Sequence, residues 1–362
     1  MQYDLAEFAL KMTCPSNELL YDDKNIPSVM VYVPKFKMSD VITGGADSVH
    51  PAFIVNGTEV DGIYIGKYQS VVNNGRAYSL PGQAPANNMT WDTARGYCEA
   101  KGAGWHMMTK AEYAAIMLWC RKNGFQPKGN NNYGKDSTES NYKAIPCTYE
   151  NDGRTRHVLT GTGPLTWSHN NAPDGIWDIN GNVSEWTGSI RTVKGELQAL
   201  VNNNAADSGN PQNAASAEWK AINAAATGAN DLYLTPNGSG TTSGSIKVNS
   251  NGGVPQYATS VTTESESFSA VISSVTCASG ISDTAKALLV ALGLLGDGSE
   301  TSYNDDRLYF NNVADERLFG SGGSYNYGAN AGVGYCSGIN NSRASAVVGI
   351  GFRLAYVALP SA

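Results

Sequence analysis

The chain has 362 residues, of which 41% are hydrophobic and 16% charged, and its formal net charge is −7. The charged fraction lies below the roughly 25% of an average soluble chain, and the absence of a basic run argues against a nucleic-acid partner. The 40 glycines, together with many Asn, Ser and Tyr residues, favour a loop-rich protein with an extracellular or virion style of surface over a helical cytosolic enzyme.

The N-terminal residues predict neither a secretory signal nor a membrane anchor. Asp4 and Glu7 stand where a signal peptide needs a basic region and an apolar core. The longest apolar stretch, AKALLVALGLLG at 285–296, is too short to span a bilayer and predicts a buried helix, so we expect no membrane insertion. We expect residues 1–50 to form an N-terminal segment that serves attachment or oligomerisation.

Two strands are the first elements predicted along the chain. SVMVYVPKFKM at 28–38 alternates in polarity, and Pro34 predicts an edge or a strand end because proline cannot donate to a ladder. VDGIYIGKYQSVV at 60–72 predicts the second strand.

Two amphipathic helices follow the strands. In TWDTARGYCEAKG, Thr90 is the predicted N-cap and Gly102 the predicted stop. In TKAEYAAIMLWCRKNG, Thr109 and Glu112 have the spacing of a capping box, and Gly124 is expected just past the helix end.

The six cysteines include no CxxC pair, and in so large a chain they do not indicate a disulfide scaffold. Cys98 and Cys120 lie on apolar helix faces, which predicts buried thiols.

The rest of the chain is richer in turns. Residues 127–140 predict a loop, and the Asp-Gly and Asn-Gly pairs that begin at Asp174 and Asn180 predict tight turns. Residues from about 192 to 300 are poor in charge and rich in Asn, Ser, Thr and Gly, which indicates an insertion with short strands.

Two segments together carry a family resemblance. GIWDINGNVSEWT at 175–187, and a closing region with GGS at 322–324 and GIGFRLA at 349–355, resemble the formylglycine-generating-enzyme branch of the C-type lectin fold. The resemblance covers about residues 60–190 and 310–357. It implies an α+β chain whose C-type-lectin-like domain spans 51–362, with a long loop-rich insertion at about 192–300. The positions expected to form the scaffold are Gly322, Gly323, Arg343, Gly351, Phe352, Arg353 and Trp186.

The enzymes of this family are known to bind copper through two cysteines near the C-terminus, whereas this chain has only Cys336 there. A single thiol cannot supply the paired soft ligands that copper(I) prefers. The four histidines also lack the cluster spacing of related iron-dependent sulfoxide synthases. We therefore expect no enzymatic activity and no cofactor, with a metal-dependent oxidoreductase as the alternative.

The closing region is more similar to the variable proteins of diversity-generating retroelements, which include phage receptor-binding proteins. In that family an error-prone reverse transcriptase substitutes adenines in a C-terminal cassette, here at about 322–355. The resemblance implies a hypervariable ligand-binding face, in which Tyr, Ser and Asn suit a paratope. The residues expected on this face are Tyr325, Tyr327, Tyr335, Ser337, Ile339, Asn340, Ser345, Val347 and Val348.

Two local alternatives stay open. AVVGIGFRLAYV could be one continuous buried strand, which would remove Val347 and Val348 from the face. In the resembling fold, oxygen ligands near the NGNVSEW turn sometimes hold Ca²⁺, so Asn182 and Glu185 could bind calcium. Otherwise Glu185 pairs with Arg353 and Asn182 stabilises the turn.

The predicted function is recognition of a host cell-surface protein or glycan by a virus or phage particle, with virion tail proteins as further partners. The expected location is the virion, or alternatively a bacterial or archaeal cell surface. A fixed structural tail protein without a variable site is the remaining alternative.

Overall fold

The computed structural model describes residues 5–298 and 306–359. The helices are α1 (Leu5–Thr13), α2 (Met38–Val41), α3 (Trp91–Glu99), α4 (Lys110–Lys122) and α5 (Asp283–Ala291). The strands are β1 (Asn17–Tyr21), β2 (Pro27–Pro34), β3 (Ile54–Val55), β4 (Thr58–Glu59), β5 (Gly62–Gly66), β6 (Val71–Asn73), β7 (Arg76–Tyr78), β8 (Trp105–Met107), β9 (Ser184–Val193), β10 (Glu196–Ala199), β11 (Lys220–Ile222), β12 (Tyr233–Leu234), β13 (Lys247–Asn251), β14 (Val254–Ala258), β15 (Phe268–Val271), β16 (Thr276–Cys277), β17 (Arg307–Phe310), β18 (Arg317–Ser321), β19 (Cys336–Ser337), β20 (Ile350–Phe352) and β21 (Leu354–Tyr356).

The helix signals in the sequence are confirmed. Thr90 caps α3 by accepting a hydrogen bond from the backbone of Thr93. Thr109 and Glu112 form the predicted capping box of α4, and Gly124 follows the helix with φ +73°. The long apolar stretch forms α5, and no helix among the described residues is long and apolar enough to cross a membrane.

A small sheet joins strands from both ends of the described chain, in the order β1-β2-β5-β21-β8. The 28–38 prediction is confirmed by β2, which ends at Pro34. The predicted 60–72 strand is broken, because β5 belongs to this sheet and β6 pairs with β7. The predicted boundary near residue 50 does not separate two structural units, because β1 and β2 lie in the same sheet as β21.

A large sheet is built around β9, in the order β15-β17-β19-β18-β9-β10-β13-β14-β16. Residues 192–300, which the sequence indicated as an insertion, contribute β10 to β16 and α5. The loops between these strands agree with the prediction, but the strands themselves extend the large sheet. Their apolar side chains, including Leu197, Val248 and Tyr257, are fully buried in the main core.

The chain crosses from the large sheet to the small one at Arg353. β20 pairs in parallel with β9, whereas β21 pairs with β5 and β8, so the closing segment forms two strands that are divided at this residue. Trp186 and Phe352 are both fully buried in the core cluster at this crossing. The scaffold prediction for Gly351 has a steric reason, because a Cβ there would lie 2.3 Å from the carbonyl oxygen of Ala86.

The predicted ion pair between Glu185 and Arg353 is confirmed. The guanidinium donates from Nε to Oε2 of Glu185 at 2.9 Å and from Nη2 to Oε1 at 2.7 Å. It also donates to the carbonyl oxygens of Gly66 in the small sheet and of Trp177. Both charged side chains are buried, so each depends on the other for charge compensation.

We expect Glu185→Gln to lower the free energy of unfolding by about 3–5 kcal/mol, because it removes the carboxylate that accepts two hydrogen bonds from a buried guanidinium. Chemical denaturation measures this loss. The matched control is Glu59→Gln, which removes the half-exposed partner of Lys35 and should cost less than about 1 kcal/mol. Equal losses in the two variants would contradict a special role for the buried pair.

Candidate functional site

The predicted cassette begins with a glycine turn that follows β18. Gly322 and Gly323 have φ values of +83° and +80°, a region that disfavours side chains. A Cβ at Gly322 would also lie 2.6 Å from the hydroxyl of Tyr113, and one at Gly323 would lie 2.5 Å from the Cβ of Ala331. These contacts give the scaffold prediction for both glycines a physical basis.

The cassette residues expected on the ligand face differ in exposure. Val347, Val348 and Tyr327 are 48%, 39% and 39% exposed, Asn340 is exposed, and Ile339 and Ser345 are half-buried. We call the exposed cassette residues the cassette surface: Asn326, Tyr327, Ala329, Asn340, Ala344, Ala346, Val347 and Val348.

Three of the predicted face residues are buried, and their placement on the surface was wrong. Tyr325, Tyr335 and Ser337 are only 6%, 3% and 6% exposed. Ser337 lies in β19, between β17 and β18. Their side chains therefore support the cassette surface from below.

Val347 and Val348 are not part of a buried strand, so that alternative is wrong. They lie in the turn before β20, where the carbonyl oxygen of Val347 accepts hydrogen bonds from the backbone of Asn88 and Ile350. The turn holds the backbone while both valine side chains stay exposed.

Tyr325 joins the cassette to residues 127–165. Its hydroxyl donates to Glu150, its ring packs edge-on against His157 at 5.2 Å, and its carbonyl oxygen accepts from the backbone of Tyr133. The hydrogen bond from Arg156 and then that from Tyr325 lower the pKa of Glu150 to about 2. Burial and then this carboxylate raise the pKa of Tyr325 to about 12.

Tyr335 supports the exposed ring of Tyr327. The ring centroids of Tyr327 and Tyr335 are 5.4 Å apart. Tyr309, which lies on β17, has its ring centroid 5.6 Å from that of Tyr335. Tyr327 is the exposed member of this group, because Tyr335 is buried and Tyr309 is half-buried. This tilted contact between the rings limits the positions that the Tyr327 ring can adopt.

Arg343 fixes cassette residues 339–348 to α3 and to the large sheet. Its guanidinium donates to both carboxylate oxygens of Glu316 and to Asp92, each at 2.9 Å, and lies over the ring of Trp91. Glu316 also accepts from Arg191 at 2.8 Å. The predicted scaffold position thus holds residues 339–348 in place through charge-assisted hydrogen bonds.

Residues 127–165 present further large exposed side chains that the sequence reasoning missed. These are Tyr142, Ile145, Tyr149 and Leu165, with exposures between 47% and 63%. The segment contacts the cassette through Tyr325 and through a hydrogen bond from Gly328 to the carbonyl oxygen of Asn131. The Asn, Gly and Tyr content of 127–142, which resembles that of the cassette, was the available signal.

The two residues proposed for calcium are already satisfied within the protein. Oδ1 of Asn182 accepts from the backbone of Val158 and from Asn130, and its amide donates to Gln69. Both oxygens of Glu185 accept from Arg353. The structure therefore shows the alternative in which these residues stabilise the turn and the sheet crossing.

The donor set does not fit the family's paired-cysteine copper site. Cys336 is buried, which raises the pKa of its thiol, and its electrostatic neighbours are the ammonium of Lys110 and the hydroxyl of Ser321. Within residues 5–298 and 306–359, no three His, Cys, Asp or Glu side chains are grouped so that they could hold a metal.

The sequence matches the family described as sulfatase-modifying factor enzyme 1-like domain over residues 10–268. The chain belongs to this family. The α+β architecture is accordingly the C-type-lectin-like fold of the formylglycine-generating-enzyme type, as predicted.

Two solved structures resemble the chain at low similarity. Treponema denticola variable protein 1 is 12% identical with a TM-score of 0.34, covering 94% of this chain and 99% of its own. PvdO from Pseudomonas aeruginosa is 12% identical with a TM-score of 0.29, covering 94% of this chain and 97% of its own. No curated protein matches the sequence.

Acid should weaken the fold through His157 beneath the cassette. Burial, and then Arg156, lower the pKa of this imidazole from 6.5 to about 4, so between these values the unfolded chain binds more protons than the folded one. The free energy of unfolding therefore decreases as the pH falls from 6.5 towards 4. We expect the stability advantage of the natural chain over His157→Asn to shrink by about 2 kcal/mol from pH 7 to pH 5. Denaturation of both proteins at each pH tests this, and a constant difference would contradict it.

Proposed function

We propose that this protein binds a ligand through the cassette surface and that a retroelement diversifies this surface. The observation that carries the proposal is the exposure of Tyr327, Val347 and Val348 on loops whose buried residues are fixed by specific contacts. Val347 and Val348 are adjacent in the sequence, and contiguous exposed apolar surface is typical of interaction sites. A tyrosine adds contact area at a small cost in conformational entropy.

The cassette combines fixed anchors with exposed positions. Arg343 and Tyr325 each hold a cassette loop to an element outside the cassette, through Glu316 and Glu150. Substitution of an exposed neighbour such as Val348 leaves these contacts intact. Pre-ordered loops lose less entropy on binding, which supports affinity across many side-chain combinations.

The ligand in this proposal is a host cell-surface protein or glycan, and the protein is carried on a virion or a cell surface. The proposed role is recognition without catalysis or a cofactor. What supports the absence of catalysis is that Cys336 is a single cysteine within the cassette, whereas a copper(I) site prefers paired soft ligands. Attachment is assigned to α1, whose Leu5, Phe8 and Met12 are all more than half exposed.

The retroelement component predicts where natural variation falls. Deep sequencing of this gene across a population should show substitutions concentrated at the codons for Tyr327, Asn340, Val347 and Val348. The anchoring residue Arg343 should be spared, because its substitution would release a cassette loop. Variation that is no higher at the four codons than elsewhere in the gene would contradict diversification and leave fixed ligand binding as the account.

The binding component is tested with Val347→Asp combined with Val348→Asp. Both side chains are exposed, so we expect unchanged folding by circular dichroism and at least about a tenfold loss of binding to host cells, equivalent to about 1.4 kcal/mol. Flow cytometry with labelled protein gives the measurement. The matched control is Ile26→Asp, an exposed apolar residue on the turn before β2. Equal binding by the natural chain and the double variant would exclude these valines from the site.

A further inference from the structure

A buried cysteine and a buried lysine meet where α1 joins the core. Cys14 follows α1, and Lys67 follows β5. Sγ of Cys14 lies 3.2 Å from Nζ of Lys67, and the two residues are 7% and 1% exposed. The proposed ligand recognition makes no use of this pair, which belongs to the small sheet and not to the cassette.

Among residues 5–298 and 306–359, the side-chain partners of this amine are an amide and a thiol, and no carboxylate is hydrogen-bonded to it. Nζ of Lys67 donates to the amide oxygen of Asn17 and to Cys14, both neutral partners when the thiol is protonated. The negative charge of Asp174 interacts electrostatically with Lys67. The carboxylate of Asp174 itself accepts hydrogen bonds from Ser16 and Asn170. Burial lowers the pKa of Lys67, which increases the fraction of neutral, nucleophilic amine.

The thiol of Cys14 is held facing this amine. Sγ donates to the carbonyl oxygen of Pro173 at 3.4 Å, and Asn17 donates to the carbonyl oxygen of Asp174 at 2.7 Å. The turn at Pro173 and Asp174 therefore covers the pair and fixes both partners. Cys14 is not in a disulfide, and the reactive group that faces its thiol is the amine of Lys67.

We propose that Cys14 and Lys67 form a covalent cross-link in which one oxygen atom bridges Sγ and Nζ. Dioxygen is the oxidant. One of its atoms becomes the bridge, and the other leaves as water with the thiol hydrogen and one amine hydrogen. The S–H bond, one N–H bond and the O–O bond break, while N–O and O–S bonds form. Nitrogen and sulfur each lose two electrons, and dioxygen accepts the four.

The cross-link fastens the start of the chain to the core. It closes a loop between residues 14 and 67 that contains β1, β2 and β5. Closing such a loop restricts the unfolded chain and stabilises the folded one. Two equivalents of a dithiol supply the four electrons that break the S–O and N–O bonds and release the bridging oxygen as water. The link is therefore reversible and makes the attachment of α1 dependent on redox conditions.

The test is mass spectrometry of the full-length protein, prepared under reducing conditions and then incubated in air-saturated buffer. We expect a gain of about 14 Da, from one oxygen added and two hydrogens lost. Proteolysis should give a linked peptide containing Cys14 and Lys67, and dithiothreitol should return both to their original masses. The linked peptide identifies the site in the natural chain without reliance on a variant.

Two variants and one internal control sharpen the result. Cys14→Ser and Lys67→Arg should each abolish the gain of about 14 Da, since neither retains both reacting groups. Cys147 is the internal control, because it is more exposed than Cys14 and would be oxidised first by a non-selective reaction. No linked peptide, a direct S–N link with a loss of about 2 Da, or oxygen added to Cys14 alone would each overturn the proposal.

Discussion

The buried ion pair between Glu185 and Arg353 is the interaction on which the architecture depends. It lies where the chain leaves the large sheet at β20 and enters the small sheet at β21. The guanidinium bonds to β9 through Glu185 and to β5 through the carbonyl oxygen of Gly66. A lysine could not make these contacts together, because it lacks the planar fork of donors that bridges a carboxylate and two carbonyls.

The crossing also sets the position of the cassette. β18 and β20 flank the first half of β9, and the residues between these two strands form the cassette loops. Both ends of the cassette are thus fixed by the large sheet. The loops between them are held at Tyr325 and Arg343, which leaves the exposed side chains as the part that can change without loss of the framework.

Local signals allowed much of the fold to be predicted from the sequence. The caps at Thr90 and Thr109, the end of β2 at Pro34 and the Glu185–Arg353 pair depend on chemistry that a short stretch or a resemblance contains. The pairing of β2 with β5 and of β5 with β21 is non-local, so no short pattern indicates it. For the same reason the strands within residues 192–300 gave no sign that they extend the large sheet.

The candidate site could be predicted as a segment but not as a surface. Tyrosine occurs in both buried and exposed positions, so the sequence does not reveal which cassette tyrosines face solvent. In the structure Tyr335 is covered by its neighbours, whereas Tyr327 is exposed to solvent. The contribution of residues 127–165 depends on a tertiary contact with Tyr325, which no spacing in the sequence encodes.

Arg353 follows every residue of the cassette surface in the sequence, which has a consequence for protein synthesis. Ribosomes translate the codons of all these surface residues before they reach this arginine and β21. A frameshift or stop codon inside the cassette therefore removes the residue that joins the sheets, and the truncated product cannot complete its core. A complete fold therefore requires a reading frame that stays intact across the cassette surface.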